Sequence, residues 1–452
     1  ALRADRSLKG SRAVRSLRPA ALAARTARRW AATYLSFGEQ RSRKRQQFVM
    51  RTAEDVTRTM GEMKGAVMKV GQVLSMMSGV LPEELSRELS RLHATAPPMS
   101  FGLVEQVFDE EYGTSPAALF RRFEREPFAS ASIGQVHRAE LRDGRKVAVK
   151  VQYPGVREAI DHDLANVGML IAMAGRMSRG LDAGPIVRDL TEGIRAELDY
   201  RREAENQQRF SGLFEGHAFI RVPKVYTRLS TGRVLVQEHL EGRPFAAAYS
   251  LPQHERDRIG EIIYRFAFGG IYRHRLFNGD PHPGNYLLLP GGAVGFVDYG
   301  CISEFSANTI VRFARVIEAL VAGDREEWRR STEDVGILRE GAPFSTEELY
   351  EHMHWYWAPI LDERVAFTPQ LAAEMIRRNT ATSGIGGQIN RWCNVPEGMV
   401  FLTRINFGLA GILANLGATG PWRDIVLEYI RGTPPVTELG RLSLATSLTA
   451  PV

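Results

Sequence analysis

Asp280, Asn285 and Asp298 are the residues of this sequence whose types and spacing could do chemistry. Asp280 and Asn285 enclose four residues within Phe277-Asn278-Gly279-Asp280-Pro281-His282-Pro283-Gly284-Asn285. Asp298 stands thirteen positions after the Asn and heads Asp298-Tyr299-Gly300. Phosphoryl transfer asks little covalent help of a protein. It asks for a carboxylate beside the attacking oxygen and for oxygen ligands that fix Mg²⁺ against the phosphates. An isolated Asp-x4-Asn could equally be a turn with two Asx residues. Here a strand-like Ala293–Val297 and then Asp-Tyr-Gly follow it, and the set reads as the floor of a phosphoryl-transfer site.

Val147-Ala148-Val149-Lys150 ends a predicted strand with one cation among apolar neighbours. In a kinase such a Lys holds the α- and β-phosphates and pairs with a helix Glu. Alone it would read as a surface Lys at a strand end. Upstream, Ala129-Ser130-Ala131-Ser132-Ile133-Gly134-Gln135-Val136 takes the place of a nucleotide-covering loop. It has one glycine, so its backbone approaches phosphates less readily than Gly-x-Gly would. Glu197-Leu198-Asp199-Tyr200-Arg201-Arg202-Glu203-Ala204 lies on a strongly helical stretch. Glu197 and Glu203 are six apart, about 600° around a helix, so they face different partners.

The elements that must position these groups change character along the chain. From about Arg41 to Met77, Phe48, Val56, Met60, Met63, Val67, Val70 and Leu74 recur at helical steps. Pro82 suits the first turn of a second helix through His93. Ser100 is placed to cap a helix running to Glu111, and a short helix is predicted over Ser115–Glu124. Phe128–Glu140 and Lys146–Gln152 read as strands around an Asp143-Gly144 turn. Helices are predicted at Val156–Met177 and Pro185–Phe210, and strands at Val222–Tyr226 and Arg233–Glu238. From Leu251 onward the pattern is mainly helical, broken by the Asp280 loop and two short strands.

With 44% apolar and 25% charged residues the composition is that of a globular protein. No apolar run reaches eighteen residues, so no transmembrane helix is predicted. Cys301 and Cys393 match no metal-ligand spacing and read as buried, reduced thiols. The net charge of +7 is unevenly placed: residues 1–51 carry +12 and the other 401 residues −5. Arg12, Arg15, Arg18, Arg25, Arg28 and Arg29, interleaved with Ala and Leu, suit a solvated tail, an anionic membrane surface or an organelle-targeting segment. Nucleic acid is not expected, because no aromatic interleaving accompanies the charge.

Lys69-Val70-Gly71-Gln72, the Ala-rich loop Ala129–Gln135, Lys150, Glu197-x-Asp199 with Glu203, Gly279-Asp280-x4-Asn285 and Asp298-Tyr299-Gly300 form a larger pattern. Together they resemble the UbiB family of atypical kinase-like proteins, related to AarF and to mitochondrial coenzyme Q-associated members, over roughly residues 45–430. The resemblance implies an α+β, bilobal protein-kinase-like fold with a helical N-terminal extension. It divides the chain into a basic tail (1–45), an extension carrying Lys-x-Gly-Gln (46–125), an N-lobe (126–240) and a mainly helical C-lobe (241–440).

It also implies binding and slow hydrolysis of ATP with Mg²⁺, in support of isoprenoid quinone or other prenyl-lipid metabolism at membranes. Carried over by motif, Asp280, Lys150 and Glu203 are the catalytic residues, and Asn285 and Asp298 hold the metal. Ala129, Ser130, Ala131, Ser132 and Gly134 cover the nucleotide, and Glu238 and Leu240, in the hinge Val236–Gly242, meet adenine. Lys69 and Gln72 reach in from the extension near Glu197 and Asp199, and Arg404 is a packing or ion-pair position. The resemblance further implies prenyl-lipid or anionic-lipid partners, lipid-biosynthesis enzymes, and a place in the cytoplasm or at the inner face of a membrane. Asp-Tyr-Gly departs from the usual Asp-Phe-Gly, and the Tyr299 hydroxyl wants a partner if it is buried. A small-molecule phosphotransferase of the aminoglycoside or choline kinase type shares the Asp280 loop, and a nucleotide-sensing scaffold without turnover is the other alternative.

Overall fold

The computed structural model describes residues 99–131, 133–158, 195, 198–379, 381, 383–394 and 408–449. The described chain divides into two compact units. One runs to Arg201 and includes Thr227–Val236, and the other takes Arg202–Tyr226 and everything from Gln237.

The first unit opens on α1 (Phe101–Tyr112), which buries Val104, Val107 and Phe108 at helical spacing. Ser100 occupies its cap position in extended conformation, but its side chain makes no capping bond. After α2 (Pro116–Leu119) come β1 (Arg122–Phe123), β2 (Ala129–Ala131), β3 (Gly134–Glu140) and β4 (Lys146–Gln152). The helix expected over Ser115–Glu124 is therefore cut short, because Arg122 and Phe123 pair with Glu140 and Ala139. The expected strand Phe128–Glu140 is itself a hairpin, with Ala131 opposite Gly134. The turn at Asp143-Gly144 forms as expected: Gly144 takes φ 88°, and the Asp143 carboxylate accepts the Arg145 N–H. In β4, Val147, Val149 and Val151 are fully buried on one face of the sheet, and Ala148 and Gln152 are buried on the other. The first unit's sheet runs β1-β3-β4-β6, with β6 (Val234–Glu238) contributing buried Val234, Leu235 and Val236.

α3 (Tyr200–Leu213) precedes β5 (Ile220–Arg221). Where a strand was expected at Val222–Tyr226 only one bridge forms, Val225 to Gln237, since Pro223 lacks a ladder donor. In the second unit β5 lies parallel to β10 (Val294–Phe296), which is antiparallel to β9 (Tyr286–Leu288), and β7 (Arg243–Pro244) closes the sheet. β8 (Leu276–Asn278) pairs with β11 (Ile302–Glu304), and β12 (Val365–Ala366) with β13 (Thr419–Gly420). The two short strands expected after Leu251 are thus an undercount. Around them pack α4 (Gln253–His274), α5 (Ala307–Ala322), α6 (Arg325–Val335), α7 (Thr346–Met353), α8 (Ala358–Leu361) and α9 (Pro369–Asn379). α10 (Gly384–Asn390), α11 (Ala410–Leu416), α12 (Trp422–Arg431) and α13 (Glu438–Thr449) follow. α4 ends on Arg275 in the left-handed region (φ 58°), which turns the chain directly into β8. Among the described residues no helix is long and apolar enough to cross a membrane.

Cys301 is buried, but Cys393 is half-buried rather than fully enclosed; burial of its thiol still pushes its pKa up to about 12. Two histidines make the second unit acid-sensitive. His217 accepts backbone N–H bonds at Nδ1 and meets the Ser443 hydroxyl at Nε2, an arrangement for a neutral ring. Burial, then the Arg221 charge, lowers its pKa to about 4, and burial with Arg273 does the same for His274. Both are depressed below the usual 6.5, so their stabilisation is complete above pH 6.5 and is lost as pH falls towards 4. Urea midpoints should decline across that window, and His217→Gln should flatten the decline; an unchanged pH profile in that variant would exclude His217 as a source.

Candidate active site

The loop that carries Asp280 is built by β8 and β11, whose register sets Asn278 opposite Ile302. The Gly279 N–H donates to the Cys301 carbonyl at 2.7 Å. Asp280 follows β8 and Asp298 lies in the connection between β10 and β11, and Asn278 joins the two. Its amide donates to the Asp298 carbonyl at 2.7 Å, and its oxygen accepts the Asp280 N–H at 3.3 Å. Asn285 then closes the loop, its amide donating to the Asp280 carbonyl at 3.0 Å and to Asp280 Oδ2 at 3.4 Å. With Nδ2 so engaged, Oδ1 is the atom of Asn285 suited to a cation. The Val297 N–H donates to the Asn285 carbonyl, and the Gly300 N–H to Asp298 Oδ1, which fixes the turn through Asp298.

Tyr299 is fully buried, and its hydroxyl donates to the Phe296 carbonyl at 3.1 Å, the partner such a hydroxyl requires. Tyr286, next to Asn285, has its phenol pKa raised by burial and, secondarily, by the Asp280 charge. Asp280, Asn285 and Asp298 are all half-buried, so the cluster has a wet side. From behind, Gly408 abuts the loop: a β-carbon there would lie 2.7 Å from Pro281 Cγ.

α3 supports the same cluster. Asn206 donates to the Tyr299 carbonyl at 3.1 Å, and the Phe210 ring centroid lies 5.1 Å from that of Tyr299. Glu203, three residues before Asn206, is 2% exposed on that helix. A carboxylate so enclosed persists only with hydrogen bonds or a counter-charge.

In the first unit, Lys150 sits on β4 opposite Val136, half-buried, with Nζ 5.1 Å from the Tyr200 ring centroid. Ala129 and Ser130 are exposed and Ala131 half-buried on β2, against β3. Gly134 has a structural duty: a β-carbon there would lie 2.2 Å from the Val151 carbonyl oxygen, so the loop's single glycine admits close pairing of β3 and β4. Asp199 stands just ahead of α3 rather than within a helix, its Oδ1 accepting the Arg201 N–H at 3.0 Å. Its short side chain competes for local N–H groups, which favours a helix start over a helix interior. Glu238 ends β6; its N–H donates to the Lys224 carbonyl at 2.7 Å, and its Oε2 accepts the Lys224 N–H at 3.1 Å. The Glu238 N–H is therefore engaged within the protein. Lys69, Gln72, Ser132, Glu197 and Arg404 lie outside the described residues.

The second unit thus gathers Asp280, Asn285 and Asp298 into one hydrogen-bonded cluster and ties the Glu203 helix to it. Ala129–Ala131, Gly134 and Lys150 share one sheet of the first unit. Asn278 and Asn206 were missed from sequence. An Asx-turn signal, Asn two residues before Asp280, could have found the first; nothing local marks the second. Among the described residues no group of three or more His, Cys, Asp or Glu could hold a metal. The Asp298 carboxylate and the Asn285 amide oxygen instead make a sparse, hard donor set, which fits Mg²⁺ completed by water and phosphate oxygens.

A family model for the ABC1 atypical kinase-like domain matches residues 91–332. Over 371 residues the chain is 29% identical to the Saccharomyces cerevisiae atypical kinase COQ8, mitochondrial, covering 80% of this chain and 73% of that one. Over 288 residues it is 33% identical to the Rattus norvegicus atypical kinase COQ8B, mitochondrial, covering 63% of this chain and 54% of that one. Among solved structures, Rv3197 from Mycobacterium tuberculosis, in complex with erythromycin, superposes with a TM-score of 0.63 at 32% identity. That match covers 86% of this chain and 98% of that one. The fold is accordingly kinase-like, with mixed helices and sheets, as the motifs led one to expect.

Proposed function

We propose, from the premise that this chain belongs to the UbiB family and carries its ABC1 atypical kinase-like domain, that it is an ATP- and Mg²⁺-dependent kinase or ATPase. Its turnover would support isoprenoid quinone or other prenyl-lipid biosynthesis at a membrane surface. The observation that carries this reading is the bonded cluster of Asp280, Asn285 and Asp298. In it Asn285 Oδ1 and the Asp298 carboxylate hold the metal, which when bound neutralises charge on the phosphates. Asp280, fixed at its backbone by Asn278 and Asn285, accepts the proton of the attacking hydroxyl or orients a water. Lys150 holds phosphate oxygens, Glu203 orients that Lys, and the Ala129–Gly134 hairpin with Glu238 and Leu240 contacts the nucleotide.

In this reading residues 46–125 form the family's extension, 126–240 and 241–440 the two lobes, and Lys69, Gln72, Glu197 and Asp199 a regulatory group. The yeast and rat relatives are both named mitochondrial atypical kinases, which supports the kinase class. Steady-state ATP hydrolysis should require Mg²⁺ and should disappear in Asp298→Asn. Hydrolysis that survives EDTA, or that Asp298→Asn leaves intact, would sink the reading.

Residues 1–51, with their charge of +12, are proposed to hold the protein at anionic lipid. Each basic side chain near such a surface contributes about 1 kcal/mol, screened by salt. Removing the segment should cut co-sedimentation with phosphatidylserine vesicles, and high salt should reproduce the loss; salt-insensitive binding would point to an apolar contact instead.

A further inference from the structure

We propose that an apolar cleft in the helical unit, apart from the Asp280 cluster, binds the hydrocarbon chain of an uncharged amphiphile. The cleft encloses about 870 Å³ of atom-free space, part of it open to solvent, between α4, α5 and the turn leading into α8. One wall is a ladder on α4 in which Tyr264, Phe268 and Tyr272 follow at four-residue steps. Adjacent rings of that ladder stack, with interplanar angles of 30° and 10°. A wall already ordered by stacking loses little freedom when a ligand arrives. Opposite stand Ile310 and Phe313 of α5, and Met375 and Leu409 also line the space.

Phe268, Tyr272, Phe313 and Trp357 remain half-buried, an apolar surface of a kind that marks ligand sites. No lining residue among those described is charged; the polar side-chain atoms are the hydroxyls of Tyr264, Tyr272, Tyr356 and Thr309 and the Trp357 indole N–H. A carboxylate or ammonium would lose its hydration there with no counter-charge, so the occupant is neutral. An alkyl or isoprenoid chain ending in a hydroxyl or carbonyl satisfies both the walls and the rim.

The test titrates the full chain with 1-decanol, geraniol, decanoate and decylammonium, followed by calorimetry and by tryptophan fluorescence, to which Trp357 contributes from the lining. Saturable binding of either neutral probe, at least tenfold tighter than of the charged pair, is expected. A preference for geraniol assigns an isoprenoid chain, and a preference for decanol a straight acyl chain. Ala410→Phe should fill the cleft and abolish binding; Thr309→Phe, on the half-buried face of α5, does the same if the first variant fails to fold. Equal binding of neutral and charged probes, non-saturable uptake of the neutral ones, or undiminished binding by a folded filled variant would overturn the proposal. So would sedimentation showing that a second copy of the chain occupies the cleft.

Discussion

Single-turnover hydrolysis of ATP by Asp280→Asn is expected to fall by about 10²–10⁴-fold, the usual contribution of a positioned general base. Nucleotide affinity should change little, because the substitution spares the proposed metal ligands Asn285 and Asp298. The fold should survive as well. The Asp280 backbone N–H and carbonyl carry its bonds to Asn278 and Asn285, and an amide oxygen can replace Oδ2 as the weak 3.4 Å acceptor. A loss of affinity as large as the loss of rate would instead move Asp280 into the metal shell. An undiminished rate would leave it a structural turn residue.

The second large effect is on stability. Arg265, in the middle of α4 and 2% exposed, donates to Glu261 at 2.7 Å, to both oxygens of Glu428 at 2.7 and 3.1 Å, and to the Thr437 hydroxyl at 2.9 Å. Thr437 in turn donates to Glu261, and α13 approaches so closely that a β-carbon on Gly440 would lie 2.6 Å from Arg265 Nη2. Arg265→Met keeps an unbranched apolar stem, removes the guanidinium and so strands two carboxylates. Breaking a buried ion pair in this way costs about 3–5 kcal/mol. Urea unfolding of the helical unit should register that loss, and adding Glu428→Leu and Glu261→Gln should recover part of it. A change below about 1 kcal/mol would equate the network with an exposed ion pair.

Local pattern carried much of the site. The Asp-x4-Asn spacing and Asp-Tyr-Gly stand only thirteen positions apart in the chain, so reading them needed no tertiary knowledge. The Lys146–Gln152 segment likewise placed Lys150 on a strand, because valines at every second position are written directly into the residues, although burial extends to both faces. What escaped depends on distant chain. Val365–Ala366 pairs with Thr419–Gly420 across more than fifty residues, and two-residue strands have no period to detect. Arg122 and Phe123 continue a helical pattern until β3 supplies a partner. Nothing local marks Arg265, whose partners Glu428 and Thr437 arrive from the far end of the chain. Asn206 is one polar residue among many on α3, and its bond to Tyr299 exists only in the packed structure.

Asp298, held by Asn278 and Gly300, is proposed to provide a metal-dependent ATP site. Thermal unfolding in saturating ATP, with and without Mg²⁺, tests it most directly, since a ligand bound only by the native state raises the transition temperature by mass action. ATP with Mg²⁺ should raise that temperature in the wild type, and much less in Asp298→Asn or when EDTA replaces the metal. An equal rise in all three, or none in the wild type, would contradict the account.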